Sequence, residues 1–124
     1  MKKLSEFIGK GERTAKQILK FIFPNDKIKE QVPLKDLVGQ TGLSQRQIKE
    51  SIDLVVYTDT TIYAVRVNGK DHKGKKYLAD GHQKSILKSL GIRVIDLEWY
   101  DCPNLFKEQF NQESKREVLE AFGL

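Results

Sequence analysis

A chain of 124 residues and 14.3 kDa has the length of one domain with one core, read as a single unit over 1–124. Its 39% apolar, 9% aromatic and 31% charged residues exclude a collagen-like, disordered or membrane composition, and Cys102, its one cysteine, excludes an internal disulfide framework and a multi-cysteine zinc site. Twenty-two Lys and Arg against seventeen Asp and Glu leave a formal charge of +5, a balance that attracts polyanions, nucleic acid first among them.

Met1 to Glu6 has early lysines but no apolar stretch of the kind a secretory signal carries, so a reducing, cytoplasmic setting is expected. Residues 4–22 read as helix. Leu4, Phe7, Ile8, Ala15, Ile18, Leu19 and Ile22 form one stripe, Gly9 and Gly11 weaken its middle, and the main helix starts near Glu12. Pro24 and Asn25-Asp26 end it. Residues 28–38 are ambiguous: Ile28, Val32, Leu34 and Leu37 fit a short edge strand and a turn. Ser44 with Gln47 is a capping box for a short helix anchored by Ile48.

Residues 52–57, rich in β-branched and aromatic types, predict a strand, and residues 62–67 an antiparallel partner across a tight turn at 58–60. Asn68-Gly69 stops it, and 70–77 reads as a lysine-rich loop. Asp80 stands at an N-cap position for a helix marked by Gln83, Ile86, Leu87 and Leu90 and stopped by Gly91. Residues 92–97 then predict a buried strand, and strand–helix–strand order implies a parallel pair. The tail from 105 to 122 is helical in two pieces, with Ser114 and Glu117 as a second capping box. The expectation is an α/β fold: a central mixed β-sheet of three or four strands flanked by helices.

Asp53 is the first candidate for chemistry, because a carboxylate in an apolar strand is costly unless exposed, hydrogen-bonded or bound to a cation. Arg66, Asn68 and His72 follow, then the basic run Lys73-Gly74-Lys75-Lys76, then Asp80, Gln83 and Lys84. Acids and an imidazole converging at one sheet end suit a hard cation, phosphate chemistry and proton transfer near neutral pH. Each residue also has a plain structural reading: Asp53 as a strand-start residue in water, His72 as a loop histidine, Asp80 as a cap, Glu12 as a first-turn acid favoured by the helix dipole. Cys102 reads as structural or inert, His82 as solvated, Trp99 and Tyr100 as packing a core edge or stacking on a base, and Arg13, Lys16 and Lys20 as a solvated helix face or, with Lys73, Lys75 and Lys76, one side of a DNA groove.

The runs Ser51 to Tyr57, Ile62 to His72, Asp80 to Lys84 and Leu87 to Ile95 resemble the PD-(D/E)XK nuclease superfamily, in the branch like the very-short-patch-repair endonucleases. The resemblance spans roughly residues 12–97. It implies a restriction-endonuclease-like fold and a small Mg²⁺-dependent (or Mn²⁺-dependent) DNA endonuclease, with a homodimer as the natural form for cutting two strands. By this resemblance Asp53 binds metal, helped by Glu12 and the Val67 carbonyl, His72 transfers protons and Asp80 orients or charge-balances it. Arg66, Lys70, Lys73, Lys75, Lys76 and Lys84 are then the DNA-binding set. The chain departs from the pattern where Arg66 stands for the acid of the E-x-K element and Asn68 for its lysine. Arg66 either clamps a phosphate or neutralises Asp53. Two alternatives stand beside the nuclease: a catalytically degenerate DNA-binding module on the same fold, and a basic adaptor for acidic protein surfaces.

Overall fold

A computed structural model describes residues 11–39, 42–68 and 75–124, with the backbone alone for 75–80. The elements run α1 (Glu12–Ile22), β1 (Lys27–Pro33), α2 (Leu34–Val38), α3 (Gln45–Ile48), β2 (Ser51–Tyr57), β3 (Ile62–Asn68), α4 (Lys75–Ser89), β4 (Arg93–Glu98), a 3-10 turn (Leu105–Lys107) and α5 (Gln112–Phe122). The four strands form one sheet in the order β1-β2-β3-β4. β1 with β2 and β2 with β3 are antiparallel, and β3 with β4 is parallel, as the α4 crossover requires.

The helix start that the two glycines left open falls at Gly11. It takes φ 89°, and a Cβ there would come within 3.2 Å of the Leu105 carbonyl oxygen and 3.3 Å of the Phe106 ring. Glycine therefore lets the chain pass close to the 3-10 turn and enter α1 with Glu12 as its first residue. Ala15, Ile18 and Leu19 then bury one face of α1. They meet Leu54, Val56, Val65, Val67, Ile95 and Leu97 of the sheet and Val118 and Phe122 of α5. The other sheet face packs Val55 and Ala64 on Leu87 of α4 and on Ile92. Helices thus flank both faces of a mixed sheet.

The edge strand β1 and its neighbour β2 change face together. Ile28 packs with Leu54 and Val56 on the α1 side, whereas Val32, Leu34 and Ile52 belong to the opposite cluster. The register does not slip: Glu30 faces Leu54 and Val32 faces Ile52. The break is conformational, with Gln31 at φ 48°, in the left-handed region. It reverses the ordinary alternation of sides at Gln31 and at Asp53, which lies between Ile52 and Leu54.

Several local expectations are corrected. Residues 34–38 form a helix, not a turn. Lys75, Lys76 and Tyr77 lie in α4 rather than in a loop, so Asp80 is inside the helix and not its N-cap. Leu78 and Ala79 are strong helix formers and carry the helix back past Asp80. The capping box of α5 is Asn111 with Ser114, one turn earlier than Ser114 with Glu117. The Glu117 carboxylate instead accepts from the Asn104 and Leu105 backbone N–H groups, at 3.2 and 3.0 Å. Leu90 is exposed, and so are Trp99 and Tyr100, which stack edge-to-face at 5.9 Å rather than closing a core edge. The stop at Gly91 holds: its N–H reaches the Lys88 carbonyl and that of Ile92 reaches Leu87, the Schellman pattern. Among the described residues no helix is long and apolar enough to cross a membrane.

Candidate functional site

The β2–β3 pairing runs from Tyr57 opposite Ile62 to Leu54 opposite Val65. One residue further along β2, the Asp53 side chain takes over: its Oδ2 accepts the Val67 backbone N–H at 2.8 Å. Here the strands part, and a carboxylate satisfies a donor that a strand would otherwise hold. On the other side of β2, the left-handed turn at Gln31 aims its amide back toward α1. Gln31 Nε2 donates to Glu12 Oε1 at 2.7 Å and lies 3.5 Å from Asp53 Oδ1, and Gln31 Oε1 accepts from Ser51 Oγ at 3.1 Å.

Three elements thus bring Glu12, Gln31 and Asp53 together, with the Val67 backbone beside them. Glu12 is 5% exposed. Burial pushes its carboxyl up to about 7, the Gln31 hydrogen bond opposes this, and the charges of Asp53 and Glu30 add to it. Glu30 itself meets Lys16 at 2.6 Å. The donor set is oxygen-rich and acidic, the kind that a hard divalent cation takes, and such a cation would draw the proton from Glu12. Among the described residues no three His, Cys, Asp or Glu side chains gather into a metal-holding group.

Arg66 and Asn68 have other partners. Arg66 sits opposite Asp96 in the parallel pair and binds it twice, Nε to Oδ1 at 2.6 Å and Nη2 to Oδ2 at 3.0 Å. Gln83 Oε1 lies 3.4 Å from its Nη1, and Lys84 Nζ lies 3.4 Å from Asp96 Oδ2. Burial raises the Asp96 carboxyl, but Arg66 and Lys84 together bring it below the ordinary carboxylate range. Asn68 Nδ2 donates to Glu98 Oε1 at 2.8 Å. Bonds to Asp53 come from the Gln31 amide and the Val67 N–H, and the Arg66 guanidinium reaches across β3 and β4 to Asp96.

Of the remaining expected site residues, Lys70, His72 and Lys73 lie outside the described residues. Lys75, Lys76 and Asp80 are placed by their backbone in the first two turns of α4. Lys84 is half-exposed beside Asp96. Cys102 is buried, and burial first, then the negative charge of Glu117, pushes its thiol up to about 12. Sequence reasoning missed Gln31 and Ser51. The signal available was faint: a Glu30-Gln31 pair between Ile28 and Val32, in a segment without clear period.

Compared with family models, with curated proteins and with solved structures, the chain gives no match.

Proposed function

We propose that the protein is a small metal-dependent DNA endonuclease with a restriction-endonuclease-like fold, acting in the cytoplasm on phosphodiester bonds. One observation carries the reading. Glu12 and Asp53, 41 positions apart, share one amide at the point where β2 and β3 separate. This is the acidic pair that the resemblance assigns to metal binding. Mg²⁺ at this pair would polarise a phosphate and lower the pKa of a water. Glu12 and Asp53 hold the cation, with the Val67 backbone beside it. His72 moves the proton, and Asp80, from α4, orients it. Lys70, Lys73, Lys75, Lys76 and Lys84 hold the phosphates of DNA, and a homodimer presents two such sites to two strands. In the hydrolysis a water oxygen bonds to phosphorus, one P–O bond breaks, and the departing oxygen takes up a proton.

A second reading has its own observation: at the two positions where the chain departs from the E-x-K element, Arg66 is bound by Asp96 and Asn68 by Glu98. On that reading the protein binds DNA without cutting it. A panel of duplex, branched, mismatched and single-stranded DNAs with Mg²⁺ or Mn²⁺ separates the two. The nuclease cuts at least one of them, and Asp53→Ala and His72→Ala each abolish cutting. Binding without cutting gives the module. No binding at low salt removes both and leaves the basic adaptor.

A further inference from the structure

We infer that Gln31 is a reversible oxygen ligand of the divalent site, an amide that turns its nitrogen to the carboxylates when no cation is bound and its oxygen to the cation when one is. The inference rests on the metal-dependent reading of Glu12 and Asp53 and names a ligand that the resemblance does not supply.

Two distances around Gln31 approach the edges of a coordination face. Mg²⁺ holds oxygens at 2.0–2.1 Å in an octahedron, so oxygens on adjacent corners lie about 2.9 Å apart. The amide nitrogen of Gln31 lies 2.7 Å from Glu12 Oε1 and 3.5 Å from Asp53 Oδ1, so it occupies the position that a third oxygen would take. Asp53, and Glu12 when ionised, can only accept, so they draw the NH₂ end inward. A bound cation reverses that demand. Rotation by half a turn about the Cγ–Cδ bond exchanges nitrogen for oxygen without moving the backbone.

Ser51 makes the exchange cheap. Its hydroxyl now donates to Gln31 Oε1 at 3.1 Å. A hydroxyl both donates and accepts, so after the turn Ser51 Oγ accepts from Gln31 Nε2 and the hydrogen bond survives with its direction reversed. The backbone points the same way. Gln31 holds φ 48°, a left-handed conformation that is costly for a non-glycine residue and is retained where the surroundings fix it. Without it the side chain would follow the ordinary strand alternation.

The test reads cation binding, not cleavage. In ¹⁵N-labelled wild-type protein, Mg²⁺ is expected to shift the Gln31 side-chain NH₂ resonances, identified by their loss in Gln31→Glu. Asp53→Asn should abolish the shift. By calorimetry, Mn²⁺ should bind about tenfold more tightly to Gln31→Glu, which adds a charged oxygen, and about tenfold more weakly to Gln31→Ala. If Mn²⁺ binds wild type in an Asp53-dependent manner but Gln31→Ala binds equally well and the NH₂ resonances stay still, Gln31 is a spacer and the inference fails while the metal site stands. If wild type shows no Asp53-dependent Mn²⁺ binding, both fall. The resonance measurement uses the unaltered side chain, so it decides the matter even where a substitution weakens the fold.

Discussion

Glu12 carries a stability signature with a definite sign. Its folded carboxyl titrates near 7 against an ordinary 4.5, so the folded state favours the protonated form. Its contribution is complete below pH 4.5 and is lost as pH rises through 7, where folding must bury an ionised acid. Glu12→Gln should therefore be more stable than wild type at pH 8.5, by on the order of 2 kcal/mol, and lose that advantage at pH 4.5, as denaturant melts at both pH values would show. Cys102 makes a second case. With its thiol near 12 and buried, it should not react with an aromatic disulfide reagent at pH 8 until the protein unfolds; fast native labelling would contradict this. At this scale the site was half legible. Asp53 announced itself as an acid in an apolar strand. Arg66 announced its charge but not its partner, since Asp96 lies thirty positions away and is met only through parallel register. Gln31 gave only a faint warning, because the left-handed turn that aims it is set by the packing of two strands, not by its own preference.

Between elements, the Arg66–Asp96 pair fastens β3 to β4. Removing one partner leaves a buried charge, so Asp96→Asn should cost about 3 kcal/mol in chemical denaturation. The wild-type contribution is fully present above the ordinary aspartate value of 3.8 and is lost as pH falls below it through the lowered folded value. Replacing Arg66 by the acid of the E-x-K pattern should not rebuild a metal site: Arg66→Glu sets two carboxylates side by side in adjacent strands and should abolish cooperative melting by circular dichroism. Gly11→Ala tests the entry to α1. Both the positive φ and the 3.2 Å approach to Leu105 oppose a methyl group, so a loss of about 1–3 kcal/mol is expected, together with displacement of Glu12. The strands and the crossover were legible because period and β-branching mark them strongly. Helix beginnings were not: α4 and α5 both start a turn or more before the polar residue that looked like a cap, because flanking helix formers and Asn111 extend them.

For the whole molecule, the net charge of +5 predicts DNA affinity that falls steeply and linearly on a log–log plot against salt. A flat dependence would tell against phosphate contacts, whichever of the two DNA readings holds. The bend at Gln31 has a consequence outside the site as well. β1 is an edge strand, and a long straight edge strand offers its amides to any passing chain. The left-handed residue in mid-strand, flanked by Lys27, Lys29 and Glu30 on one side and Pro33 on the other, breaks that rail into pieces too short to template growth. The residue that gathers the two acids thus also guards against fibril formation, and straightening it with a β-branched side chain, as in Gln31→Ile, should hasten thioflavin-positive self-assembly.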